Sequence, residues 1–287
     1  MKYVKPDSLE AAAKLLSQQE GTTRILAGGT DVMVQLRSEM VEPDLIVDLK
    51  HLDGFSEITS EDGGFRIGAG VPSAQMFEHE ALHAAWPGVV EGAELIGSTQ
   101  IQGRCTIVGN LCNGSPAADS VPGMVAANAV ARVYGPDGMR DVPVADIPTG
   151  PGKTSLAKGE FISSIFLPAR PERASDAYLR FIPRTEMDIA VSAAAANIEL
   201  AEDGSVSAAR IAVGAVAPTV RMVEDAGTAL VGTKLDDDAI AKMVAAVEAA
   251  CSPINDKRGT IEFRTKTAGV LAKRAAKIAY DRAGGQS

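Results

Sequence analysis

Apolar positions Leu9, Ala12, Ala13 and Leu16 recur at the spacing of one helix face. Asp7-Ser8-Leu9-Glu10 ahead of them reads as a capping box with Asp7 as N-cap, and Gly21 suits the end of that helix. Short apolar runs at residues 24–27, 45–49 and 65–70 predict strands. Helical periodicity follows near 73–85 and 88–96. The segment GRCTIVGNLCNGSPAADS, residues 103–120, is dense in Gly, Asn, Ser and Pro and predicts a long loop with a small apolar island, Thr106-Ile107-Val108. Loops of that length in a compact domain are usually functional. Residues 117–130 predict a buried helix of small residues. Residues 131–134 and 140–144 predict strands around the turn Gly135-Pro136-Asp137-Gly138, and 160–167 a further strand.

The pattern changes after Pro168 and Pro171. Residues 189–200 and 207–216 read as strands joined across 201–205, where Asp203-Gly204 is a hairpin signal. Helices are predicted near 221–231, 236–250 and 261–283; the last carries Leu271, Ala275 and Ile278 on one face, with Lys273, Arg274 and Lys277 turned away. Strand-rich material followed by helices predicts a second α+β domain over 172–287, after a first domain over 1–171.

Composition narrows the function classes. The chain has 287 residues, long enough for two cores, with 46% hydrophobic and 23% charged residues, as in an ordinary soluble protein. A net charge of −9 argues against nucleic acid or an acidic membrane as the main partner. No apolar run approaches the roughly eighteen residues of a membrane span, and the N-terminus has no apolar export core, so a cytoplasmic setting is expected. Cys105, Cys112 and Cys251 make a poor disulfide framework. His51, His79 and His83 lie away from Cys105 and Cys112, so no self-contained zinc or iron–sulfur site is expected; His79 and His83, four apart, fit a solvated helix face. The segment GPGKT at 150–154 lacks the first glycine of a phosphate loop, since that position is Ile147, and it reads as an ordinary turn.

Two glycine-bearing segments carry the candidate chemistry. Gly28-Gly29 follows a strand and precedes Thr30 and Asp31, either of which could cap a short helix running to residue 37. Such a turn serves either positive φ or the close approach of a ligand that tolerates no β-carbon. Residues 106–110 and 115–119 add backbone amides, short hydroxyls and one carboxylate. Together these groups suit a diphosphate flanked by riboses.

AGGTD (27–31), TIVGN (106–110), SPAAD (115–119), GEFISSIFLP (159–168), RFIPRTEMDIAVSAAA (180–195), AVGAVAPT (212–219) and SPINDKRGTIEFR (252–264), in that order, resemble the FAD-binding medium subunits of the molybdenum hydroxylases. That family includes the medium subunit of aerobic carbon monoxide dehydrogenase and the FAD domain of xanthine dehydrogenase. The resemblance covers nearly the whole chain. It implies an α+β fold: a two-lobed FAD domain of the vanillyl-alcohol-oxidase type, with lobes over 1–54 and 55–171, then a small α+β domain with a three-stranded antiparallel sheet. It implies non-covalent FAD, with the molybdenum cofactor and [2Fe-2S] clusters in a large and a small partner subunit, in a heterotrimer or a dimer of heterotrimers. By the resemblance, Ala27, Gly28, Gly29, Thr30, Asp31 and Val32 would line the FAD diphosphate. Thr106, Gly109, Asn110 and Ser115 would approach from the other lobe, with Asp119 bonding the adenosine side. Ile162 would lie near the flavin, and Arg180 stands where a lysine often contacts it. Val108 replaces a glycine of the common TIGGN loop; valine does not suit positive φ, so that turn is expected to differ.

The resemblance implies an electron-transfer subunit whose substrate is oxidised in a partner. A self-sufficient FAD oxidoreductase on a similar fold is the competing reading. Glu186 and Asp188 are its visible acid/base candidates, and they read more simply as surface or packing carboxylates. A nucleotide-binding or scaffold module is the non-redox alternative.

Overall fold

The computed structural model describes residues 1–285. The chain opens with β1 (Lys2–Val4), α1 (Leu9–Gln18), β2 (Thr23–Leu26), α2 (Val32–Arg37) and β3 (Leu45–Asp48). These strands form a parallel sheet in the order β1-β3-β2. All four residues of the central β3 are buried, as expected for a parallel strand covered on both faces. Ser8, rather than Asp7, caps α1: its hydroxyl accepts from the Ala11 amide at 3.1 Å.

A five-stranded antiparallel sheet follows, built from β4 (Ile58–Glu61), β5 (Gly64–Gly68), β6 (Val130–Gly135), β7 (Gly138–Pro143) and, after the hairpin β8 (Pro148–Gly150)/β9 (Lys153–Thr154), the strand β10 (Phe161–Leu167). Its order is β4-β5-β10-β6-β7. The central β10 carries a register shift between Ile162 and Ser164 where it pairs with β6. Such a bulge re-aims the side chains beside it.

Six helices run between β5 and β6: α3 (Ser73–Glu78), α4 (Glu80–Ala85), α5 (Pro87–Glu94), α6 (Thr99–Gln102), α7 (Ile107–Cys112) and α8 (Ser120–Ala126). The single helix expected near 73–85 is two, broken at His79, whose ring nitrogen Nδ1 accepts from the Leu82 amide and caps α4. The long loop expected over 103–120 contains α7, because Thr106 caps its first turn while Ile107 and Leu111 bury into the core. Val108 is helical there, so the expected demand for positive φ does not arise.

The last part of the chain holds β11 (Ala174–Phe181), β12 (Ser192–Leu200), β13 (Val206–Gly214) and β14 (Arg221–Met222), then α9 (Glu224–Thr228), α10 (Asp237–Ala250) and α11 (Ile261–Arg282). The antiparallel sheet has four strands rather than three, the fourth only two residues long. β12 is covered on both sides. Ala193 and Ala195 join the core of the preceding sheets, while Ala194, Ala196 and Ile198 join a second core with α10 and α11. Alanine favours strand weakly, so this strand owes its place to two layers that approach closely over small side chains. In α11, Leu271, Ala275 and the half-buried Ile278 face that core, and Lys273, Arg274 and Lys277 are exposed.

Polar ties join the sheet to α5. The Asp176 carboxylate on β11 accepts from the Val89 amide at 3.0 Å and pairs with Arg170 at 2.8 Å. The Arg170 guanidinium in turn lies 3.6 Å from the Trp86 ring centroid. From α11, Arg282 reaches Glu91 at 2.5 Å. Among the described residues, no helix is long and apolar enough to cross a membrane.

Candidate cofactor cleft

The chain leaves β2 through Gly28 and Gly29 and turns into α2. Gly29 adopts φ +75°, in the region that glycine enters without cost. Gly28 answers a different demand. A β-carbon there would sit 1.8 Å from the Arg104 carbonyl oxygen, so the turn after β2 rests directly on the backbone leading into α7. Asp31 occupies the N-cap position of α2 without capping it; its carboxylate accepts from the Gln35 amide group at 2.6 Å. Opposite, the Thr106 hydroxyl accepts from the Gly109 amide at 2.9 Å. The Ile107 and Val108 amides, in the first turn of α7, have no carbonyl of their own helix to bond. Asn110 is fixed from behind: its side-chain oxygen accepts from the amide and hydroxyl of Ser120 at 3.2 and 2.8 Å.

Between these loops lies a cleft of about 990 Å³. Ala27, Gly28, Gly29, Thr30, Asp31, Val32, Thr106, Gly109, Asn110 and Ile162 all line it. The bulge in β10 stands beside Ile162. Gly152 and Thr154 also line the cleft, so the segment expected to be an ordinary turn supplies part of its wall. Met187 reaches it from the β11–β12 connection, with φ +53° and its carbonyl held by Arg184 at 3.0 Å.

Three expected site residues are not in the lining. Ser115 is exposed, and its hydroxyl accepts from the Ala117 amide. Asp119 and Arg180 lie behind the wall, paired with each other. Sequence reasoning missed Arg24, a lone arginine inside a strand, which gives no signal in one dimension. It is the only Lys or Arg in the lining, and its guanidinium donates to the Thr23 carbonyl.

The other charged groups of the lining are committed. Glu160 accepts from Arg140 at 2.7 and 2.8 Å and from the Ala157 amide, and these bonds, Arg140 first, hold its carboxyl below the usual range. Asp188, beside Met187, takes the Ile189 amide and pairs with Arg184 and Arg258, which also keeps its carboxyl low. A general base near neutrality needs the opposite shift. Glu186 is exposed. Among the described residues, no three His, Cys, Asp or Glu side chains gather as a metal-ligand set.

Residues 1–170 match the FAD binding domain in molybdopterin dehydrogenase, and residues 177–279 match the CO dehydrogenase flavoprotein C-terminal domain. The chain belongs to this family. It is 34% identical to the carbon monoxide dehydrogenase medium chain of Afipia carboxidovorans, over 98% of this chain and 97% of that one. It is 31% identical to the xanthine dehydrogenase FAD-binding subunit of Escherichia coli O157:H7, over 99% and 97%. A chain in the structure of reconstituted CO dehydrogenase from Oligotropha carboxidovorans superposes with a TM-score of 0.93 at 34% identity, covering 98% of both chains.

The cleft fits an FAD on this chain's own terms. Its volume lies at the upper end of the roughly 300–1,000 Å³ of cofactor and ligand pockets. The lining combines apolar side chains for a ring system, glycine turns and free amides for phosphate oxygens, and one cation. Arg24→Ala is expected to weaken FAD binding about tenfold, with the loss shrinking at high salt, as for a screened charge contact. Fluorescence titration of the flavin-free chain at two ionic strengths checks this.

Proposed function

We propose that this chain is the flavin electron-transfer subunit of a multi-subunit molybdenum hydroxylase, linking the iron–sulfur clusters of a partner to an external acceptor. The observation that supports the reading most is the cleft itself, two glycine-bearing loops meeting over a cavity of about 990 Å³ with a single cation in its wall. The turn at 28–31 and the first turn of α7 would hold the diphosphate, with Arg24 offsetting its charge. Ile162 and Met187 would pack near the ring system. A bound flavin supplies storage of two electrons and their exchange one or two at a time. This chain's residues bind it, orient it and shield it from water.

The partners in this proposal are a large subunit with the molybdenum cofactor and a small one with [2Fe-2S] clusters, assembled in the cytoplasm. The domain division falls at 171/172, and the first domain divides into lobes near residue 54. The flavin in this reading is held without a covalent bond; no histidine is among the residues lining the cleft. Acid precipitation of the purified chain should release FAD into the supernatant. Flavin that stays with the denatured pellet would contradict the non-covalent assignment.

A further inference from the structure

We propose that Asp119, Tyr178 and Arg180 form a buried latch through which strand β11 sets the wall of the flavin cleft that faces the turn at 28–31. The inference rests on the reading of that cleft as the FAD site. The two carboxylate oxygens of Asp119 are divided between two donors: Oδ1 accepts from the Tyr178 hydroxyl at 2.8 Å and Oδ2 from Arg180 at 2.5 Å. Asp119 and Arg180 are 10% and 7% exposed at their side chains, so the pair is shielded from competing water.

Each end of the latch leads to the cleft. The same Arg180 nitrogen that meets Asp119 also donates to the Leu95 carbonyl at 2.8 Å. Leu95 is the C-cap of α5, and the next two residues, Ile96 and Gly97, line the cleft, with Gly97 at φ +68°. Asp119 in turn stands at the N-cap of α8, and the following residue, Ser120, holds Asn110 of α7, which also lines the cleft. One carboxylate therefore ties the α5–α6 connection and α7 to a strand of the last sheet. Asp119 and Arg180 act as positioning residues, through the backbone of Leu95 and the side chain of Asn110.

The arrangement carries a pH response. Burial pushes the Asp119 carboxyl up to about 6, against the lowering effect of Arg180 and Tyr178. Below that pH the carboxyl takes up a proton, the ion pair is lost and the hold on Leu95 and Asn110 loosens. Of the elements packed around it, β11 presents Arg180, Tyr178 and, nearer its start, Asp176. The α5 helix presents Glu91, engaged with the Tyr178 amide and Arg282, and Glu94, whose carboxyl is also raised, first by burial. Among these two neighbouring helices, α8 carries no titratable side chain and α7 carries Cys112. Glu94 could add a response of its own, so the test must remove the Asp119 charge selectively.

The test is FAD affinity of the flavin-free full chain from pH 5 to 8 for the parent, Asp119→Asn and Tyr178→Phe. The parent should bind less tightly as pH falls through about 6. Asp119→Asn should bind about tenfold more weakly at pH 7, the scale of one lost charged hydrogen bond, and should lose the dependence near pH 6. Tyr178→Phe keeps the packing and removes one donor from the carboxylate, so its decline should begin at higher pH. It decides the matter if Asp119→Asn does not fold. Variants with the parent's affinity and the parent's pH profile would overturn the latch while leaving the cleft reading intact. A parent that takes up no FAD at pH 7 would overturn the cleft reading, and the latch with it.

Discussion

Gly28→Ala is expected to leave the chain without flavin. The added carbon would lie 1.8 Å from the Arg104 carbonyl oxygen and 2.7 Å from its carbon, both backbone atoms that no rotamer change can clear. Relief requires the turn after β2 to separate from residues 104–106 by about an ångström or more, which moves one wall of the cleft against the other. Overpacking of this kind costs about 1–3 kcal/mol. Because the displaced atoms lead straight into the phosphate-facing turns, FAD affinity should fall about a hundredfold. Gly29→Ala should be milder. Its φ of +75° costs about 1–2 kcal/mol for alanine, but the nearest obstruction is the end of the flexible Leu26 side chain at 2.9 Å. Gly29→Asn should be milder still, since asparagine tolerates that region. FAD titration of the three variants, with circular dichroism to confirm folding, checks the order. Stoichiometric FAD in Gly28→Ala would show that the two loops can part without consequence.

The contrast between the two glycines shows how much of this protein was legible in its sequence. Gly29 follows the local rule for a tight turn, and the Asp203-Gly204 hairpin and the face of α11 obey local rules equally well. Gly28 obeys a long-range one: its neighbour, Arg104, lies far along the chain, and no window of sequence contains both. The same limit hid α7, where a Gly- and Asn-rich composition reads as loop although Thr106 caps it and core packing completes it. It hid Arg24, whose place in the cleft lining follows from the fold and from no local sequence signal. The family resemblance led to FAD, and ten of the residues it named line the cleft. Asp119 and Arg180, for which the resemblance also implied cofactor contacts, are paired with each other outside that lining. Nothing local to Ile162 marks the bulge beside it, which depends on the register of β10 against β6.

The isolated chain, loaded with FAD, is expected to show no turnover of the substrate that its complex oxidises. Oxidation of a substrate that must lose a proton is accelerated by a group poised to take it near neutral pH. Of the acids in the cleft wall, Glu160 is held low by Arg140, and Asp31 is engaged with Gln35. Burial raises the carboxyls of Asp119 and Glu94 nearby, but neither lines the cleft, and Asp119 is paired with Arg180. In the proposed complex, substrate chemistry falls to the partner subunits, and this chain docks against them. A lasting complex of that kind buries above about 1,000 Å². The most direct test of the electron-transfer assignment is native mass spectrometry, with metal and flavin analysis, on this chain isolated from its own source. An assembly larger than the chain is expected, containing molybdenum and iron and one FAD per copy of this subunit. A metal-free, unpartnered chain that turns over a small substrate with its own FAD would contradict that assignment.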